Sequence, residues 1–284
     1  MRVVITGGKG MLGRTLQQVL HSHEIIVADL PEWDITDAAG FDTNLRAANA
    51  DVVIHCAAMT AVDRCETESD LAYQLNAIGS MNVAAACHRN GIRLIAISTD
   101  YVFGGELERP YHEFDVAGGA HTVYGLSKYA GEEMIRRHCP NHVICRISWL
   151  YGPGGPSFVH AMMNLADGTR PILKVVDDQH GNPTSTFAVA RQIAVLLQHP
   201  ELVGTFHCTC EGEATWAEFA QEVFHLAGKS QIIHPCITSE FPRPAPRPLN
   251  SRLEKRMFRL CNLPSMSEWH EALAEFMMVE FNCR

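Results

Sequence analysis

Apolar residues fall in short β-branched runs separated by stretches with helical spacing, and this alternation repeats through the first half of the chain. Val3-Val4-Ile5 is the first run; it breaks into glycines and gives way to Leu12, Leu16, Val19 and Leu20, which share one helical face. Glu24-Ile25-Ile26-Val27-Ala28 predicts a second strand, Asp51-Val52-Val53-Ile54-His55 a third, and Arg93-Leu94-Ile95-Ala96-Ile97 a fourth. Between the last two, the spacing predicts one helix over about 69–90, with Asn76 in its middle and Gly91 as its stop. A further helix opens near Tyr124 and ends before Pro140, and Val143-Ile144-Cys145-Arg146-Ile147 follows as a fifth strand. Regular alternation of strand and helix predicts an α/β fold: a doubly wound parallel sheet covered on both faces.

The pattern changes after 148–156, where glycine and proline cluster. We expect a dinucleotide-binding domain over 1–150 and a smaller C-terminal α/β lobe over 151–284, with about 184–200 able to pack back on the first. Helices near 157–165, 186–198 and 215–227 alternate with short strands such as 204–208, which we assign to the second lobe. Residues 241–248 carry four prolines and are expected to run extended.

Composition narrows the function. A chain of 284 residues has room for both units, and 46% apolar content is ordinary for a globular protein. No apolar run reaches the eighteen or so residues of a membrane span. The first apolar run is too short for a signal peptide, so the cytoplasm is the expected compartment. Ten cysteines scattered from Cys56 to Cys283 are expected as free thiols. Cys208 and Cys210 alternate on one strand face and lack the partners of a zinc site. A net charge of −9 argues against nucleic acid but leaves room for an anionic small molecule held by local cations.

Candidate chemistry gathers at strand ends. Gly7, Gly10 and Gly13 lie between a strand and a helix, where they allow a tight turn and close backbone approach to a pyrophosphate. A P-loop is excluded because Gly10, not serine or threonine, follows Lys9. Asp29 ends the second strand; an acid there can accept from ribose hydroxyls and repels a 2′-phosphate, which favours NADH over NADPH. Small residues after His55, namely Cys56, Ala57 and Ala58, leave room for a ligand, while His55 itself reads as a core histidine. Tyr124 and Lys128 are one helical turn apart. An ammonium beside a phenol lowers the phenol pKa, so that it can give a proton to an alkoxide near neutrality. Thr99, at the end of the fourth strand, would reach the same sheet edge.

The loop Thr6-Gly7-x-x-Gly10-x-x-Gly13 and the set Thr99, Tyr124-x-x-x-Lys128 resemble the extended short-chain dehydrogenase/reductases. Thr60-Ala61-Val62-Asp63, Ser98-Thr99-Asp100-Tyr101-Val102-Phe103, Ser148-Trp149, Asp178-Gln179-x-Gly181-x-Pro183-Thr184 and Arg247-Pro248-x-x-Ser251-x-Leu253 are similar to the branch that reduces the C4 ketone of dTDP-4-dehydro-L-rhamnose. That resemblance implies hydride from NAD(P)H, with Tyr124 as proton donor and Thr99 donating a hydrogen bond to the carbonyl. Lys128 would also hold the nicotinamide ribose. It further implies coenzyme contacts from Gly7, Gly10, Met11, Leu12, Gly13, Asp29, Asp34, Ile35, Ala57, Ala58, Thr60, Tyr124 and Lys128. The sugar nucleotide would meet Val62, Thr99, Tyr101, Tyr124 and Trp149, with Arg247 for its pyrophosphate. Some relatives bind magnesium through a glutamate just after the third glycine, at a dimer contact. Arg14 and Thr15 stand there, so we expect no metal, and either a monomer or a homodimer. Two rival readings share the fold. A dehydratase or epimerase is disfavoured because the dehydratases have glutamate where Tyr101 stands, and a non-catalytic regulatory subunit of methionine adenosyltransferase type is disfavoured by the intact Thr, Tyr and Lys set.

Overall fold

Each of the five apolar runs is a strand in the computed structural model, which describes residues 1–166 and 172–283. They are β1 (Arg2–Thr6), β2 (Glu24–Ala28), β3 (Val52–His55), β4 (Arg93–Thr99) and β5 (His142–Ile147). All pair in parallel, in the spatial order β2, β1, β3, β4, β5. Successive residues alternate between two cores: Val3, Ile5, Val52 and Ile54 pack on one face, Val4, Val53 and Leu94 on the other. Burial on both faces is why these strands read as continuous apolar runs. The helices between them are α1 (Met11–Val19), α2 (Ala38–Ala48), α3 (Val62–Thr67), α4 (Ser69–Tyr73), α5 (Ser80–Arg89) and α6 (Val123–His138). The strand order reverses beside β1, so a crevice opens at the carboxyl ends of β1 and β3.

A sixth strand, Gly204–His207, extends this sheet in parallel beyond β5. We had expected it in the second lobe. A four-residue strand carries no local signal for which sheet edge it joins; here it covers an edge that β5 would otherwise leave unpaired. The helix Thr186–Leu197 also lies against the first domain, tied to α1 by a 2.8 Å hydrogen bond between the buried hydroxyls of Thr15 and Thr186. Arg93, on β4, donates to the carbonyls of Leu196 in the helix's last turn and of His199 and Leu202 beyond it. The smaller lobe contains its own parallel pair, Ile172–Val176 with Ile232–Cys236.

The helix expected over 69–90 is interrupted by a π turn, Gln74–Gly79, between α4 and α5. Such turns often serve a site. This one directs Asn76 inward, where its Oδ1 accepts from Met59 N at 2.8 Å and its Nδ2 donates to Met59 O at 3.1 Å and Ser127 Oγ at 3.0 Å. The loop after β3 is thereby tied to the helix that carries Tyr124.

Candidate active site

A cleft of about 470 Å³ lies over the carboxyl ends of β1 and β3. The glycine loop forms its floor. Gly7 sits at φ +63°, and a Cβ on it would be 2.8 Å from Ala57 N; a Cβ on Gly13 would be 2.5 Å from Gly7 O. Neither position has space for a side chain. Helix α1 begins at Gly10 without a side-chain cap, so its first N–H groups face the cleft unpaired by any capping oxygen. The wall contains every residue expected to meet the coenzyme: Gly7, Gly10, Met11, Leu12, Gly13, Asp29, Asp34, Ile35, Ala57, Ala58, Thr60, Tyr124 and Lys128. Lys9, Trp33, Cys56, Leu75 and Ser98 also line it and were missed. Lys9 was readable, since it lies inside the loop; Trp33 is placed by its N–H donating to Asp29 O at 3.1 Å and by edge-on packing against Phe41, 5.5 Å between centroids. Asp29 accepts from Lys9 N at 2.8 Å and Leu30 N at 2.9 Å. The Lys9 ammonium is held nearby on Leu30 O.

Tyr124 and Lys128, in the first turns of α6, line this cleft, and Thr99, the last residue of β4, lies beside Tyr124 but is not in the wall; all three are buried. Thr122 caps α6 by accepting from Gly125 N at 3.0 Å. Gly125 lets the helix settle onto the turn after β4, because a Cβ there would be 2.2 Å from Tyr101 O. The Tyr124 hydroxyl lies beside the Thr99 side chain, which favours its phenolate. Thr99 Oγ1 in turn accepts from Tyr101 N at 3.2 Å and donates to Asp100 Oδ1 at 3.0 Å. Lys128 Nζ donates to Ile97 O at 2.8 Å.

The expected electrostatics need correcting. The phenol of Tyr124 is not lowered; burial pushes it above its ordinary value, reinforced by the Asp100 charge and opposed by the Thr99 hydrogen bond. Desolvation of the phenolate dominates, and Lys128 is not among the groups that shift it. Burial lowers Lys128 to about 8, against the charge of Glu132 one turn on, which raises it. Burial raises Asp100 to about 6, opposed by hydrogen bonds from Ser251 and Thr99. His55 is a core histidine: its ring meets Thr6 Oγ1 at 2.7 Å and Ser80 Oγ at 3.1 Å, and burial keeps it neutral with a pKa of about 3.

Beneath the site lies a buried ion pair that the sequence reading missed. Arg146 donates to both oxygens of Glu132, at 2.9 and 2.7 Å, and Ser98 Oγ donates to Glu132 Oε1 at 2.6 Å. Burial alone would raise Glu132, but Arg146, with help from Arg136 and Ser98, brings it down to about 2. A charged residue inside an apolar strand run was the available signal.

A second cleft, of about 490 Å³, lies between the sheet and the smaller lobe. Tyr101, Trp149 and Arg247 line it as expected, joined by Phe158, Lys174, Gln179, Trp216, Thr238 and Arg243. Trp149 adopts φ +47°, unusual for a bulky residue, and stacks on Trp216 at 3.5 Å between centroids. Trp216 Nε1 donates to Gln179 Oε1, and Gln179 Nε2 donates to Thr238 Oγ1, both at 3.0 Å. Tyr101 of the second cleft meets Tyr124 of the first edge-on at 5.5 Å, so the two clefts border on that pair. Val62 is not in the wall of the second cleft; it packs with Met59, Tyr101 and Tyr124 behind the junction. Arg247 is engaged by Asp63 through two hydrogen bonds of 2.9 and 3.0 Å.

Among the described residues no group of three or more His, Cys, Asp or Glu side chains could hold a metal ion, and no helix is long and apolar enough to cross a membrane.

The model of the RmlD substrate binding domain family matches residues 1–281. A dTDP-4-dehydrorhamnose reductase of Streptomyces griseus is 39% identical over 282 residues, covering 96% of this chain and 92% of the relative. Among solved structures, a dTDP-4-dehydrorhamnose reductase of Clostridium acetobutylicum superposes with a TM-score of 0.95 at 43% identity, covering 98% of this chain and 99% of that one. The Bacillus anthracis enzyme of the same name, solved in complex with NADP, gives 0.94 at 38% identity with the same coverage.

Proposed function

The chain belongs to the RmlD substrate binding domain family, and from that premise we propose that it reduces the C4 ketone of dTDP-4-dehydro-L-rhamnose to give dTDP-L-rhamnose, using a nicotinamide coenzyme in the cytoplasm. The observation that carries the reading is that Tyr124 and Lys128 line the first cleft, with Thr99 beside Tyr124 and Tyr101 of the second cleft against its ring. The names of the relatives support the substrate.

The first cleft suits a dinucleotide. Its glycine floor admits a pyrophosphate against backbone N–H groups, and the uncapped start of α1 favours negative charge there. Asp29 would hold the adenosine ribose, and its charge favours NADH; the ammonium of Lys9 beside it offsets part of the repulsion toward a 2′-phosphate, so NADPH is accepted less well. When bound, the coenzyme supplies hydride to the ketone carbon.

The protein's own groups manage the proton. Tyr124 is fully protonated at neutral pH because burial penalises its phenolate, the state that a proton donor in a reduction requires. As hydride arrives, negative charge grows on the ketone oxygen and the phenol O–H delivers its proton there. Lys128, one helical turn from Tyr124 and lining the same cleft, would set its desolvated positive charge beside the developing phenolate, where it counts for more than in bulk solvent. Thr99 has a single hydroxyl proton, now given to Asp100. Turning it to the ketone oxygen requires Asp100 to give up that bond. Trp149 and Tyr101 would form the walls against the sugar ring, and Lys174, Arg243 and Arg247 gather positive charge for the diphosphate on a chain of net charge −9.

The test mixes purified protein with dTDP-4-dehydro-L-rhamnose and each coenzyme and follows coenzyme absorbance. Stoichiometric oxidation, with a product heavier by two hydrogens, is expected. Tight coenzyme binding without turnover would refute the reading in favour of a non-catalytic role.

A further inference from the structure

Asp63 lies in the first turn of α3, yet its partners come from the proline-rich segment far along the chain. It accepts from Ala245 N at 3.2 Å, from Arg247 Nη1 at 2.9 Å and from Arg247 Nη2 at 3.0 Å. Arg247 Nη1 also donates to Ala245 O at 2.8 Å. A guanidinium has five N–H groups in one plane. Three are committed here: one on Nη2 and both on Nη1. The two left, on Nε and the outer side of Nη2, lie side by side as a second fork. Such a fork matches two oxygens of one phosphate. Arg247 lines the second cleft, and its side chain is 22% exposed, so that fork has access to a ligand.

We propose that Asp63 is a positioning residue for the diphosphate of the nucleotide sugar: it fixes Arg247 and the strap 241–248 across the cleft, so that the remaining guanidinium edge is presented to a phosphate before the ligand arrives. The inference rests on the function proposed above. A free arginine on an extended, proline-rich segment would have to lose rotamer freedom on binding; one already clamped by a carboxylate and a carbonyl has lost it. The Asp63 carboxyl is held below its usual range chiefly by the Arg247 hydrogen bond, and Arg243 adds a smaller effect. The clamp is therefore intact at neutral pH.

The test is calorimetric binding of dTDP to the full chain, with steady-state kinetics alongside. Asp63→Asn keeps an oxygen for Ala245 N while removing the charge and one acceptor facing Arg247. It should weaken dTDP about tenfold or more and raise KM for the nucleotide sugar by a similar factor, with kcat and coenzyme affinity within about twofold. Arg247→Gln should weaken dTDP at least as much, and Asp63→Asn combined with Arg247→Gln should be no weaker than Arg247→Gln alone. A general loss of structure would lower kcat and coenzyme binding together, which would overturn the proposal. So would wild-type affinity in Asp63→Asn, or strictly additive losses in the double variant. Absence of dTDP binding by the wild-type chain would instead sink the proposed function and carry this inference with it.

Discussion

Lys128→Met should make the protein more stable at neutral pH and nearly inactive. The side chain is 7% exposed, and burial drags its pKa from 10.5 to about 8. At about 1.4 kcal/mol per pH unit, holding the ammonium in the folded state at pH 7 costs about 3 kcal/mol. Methionine fills similar volume without charge, but it leaves Ile97 O without the lysine donor, a loss of about 1 kcal/mol. The net expectation is a gain of about 2 kcal/mol at pH 7. The sign with pH follows from linkage. The folded pKa lies below the unfolded one, so the penalty is complete below pH 8. Between 8 and 10.5 the unfolded chain binds more protons, and wild type gains stability as pH rises. At pH 9.5 about 2 kcal/mol is recovered, and the variant's advantage should have closed. Urea unfolding of both proteins at pH 7 and 9.5 measures this directly, since the other groups titrate alike in the two. A variant less stable than wild type at pH 7, or a gap that is equal at both pH values, would refute the reasoning. Confirmation would show a site residue retained against stability.

Tyr124→Phe removes only the proton donor, so kcat should fall by about 10²- to 10⁴-fold with coenzyme affinity nearly intact; a variant that kept most of its rate would eliminate Tyr124 as the acid. Asp29→Ala should bring the NADH to NADPH ratio of kcat/KM toward one, and an unchanged ratio would remove Asp29 from coenzyme choice. Arg146→Met leaves the buried Glu132 carboxylate only Arg136 and Ser98 as partners and should cost roughly 3 kcal/mol in urea unfolding, less than a wholly unpaired buried charge would, with much of it returned by a second change, Glu132→Gln. If the double variant were no more stable than the single, the buried charge would not be the cause.

The strands and the coenzyme cleft were legible because their signals are local. Val3-Val4-Ile5 and Leu94-Ile95-Ala96 are continuous apolar runs since both sheet faces are covered, and the glycine triplet marks backbone that no Cβ could share. Residues around the second cleft were legible only in part. Trp149 and Arg247 stood in quotable motifs, whereas Trp216, Phe158 and Lys174 had no neighbouring signal and reach the cleft through the packing of separate segments. The π turn at 74–79 was also silent, because periodicity over 69–90 differs little between an uninterrupted helix and one with a single wide turn.

What the chain determined by itself was the order of strands and helices, the glycine cradle, and the one-turn spacing that puts Tyr124 and Lys128 on a common face. These depend on neighbours within a few residues. The tertiary structure alone decided which way the phenol pKa moves, that strand 204–207 joins β5, and that Asp63 clamps Arg247 from 184 residues away. Each of those depends on desolvation or on a partner brought close by the fold. Burial and long-range pairing are properties of the packed chain, so no reading of adjacent residues contains them.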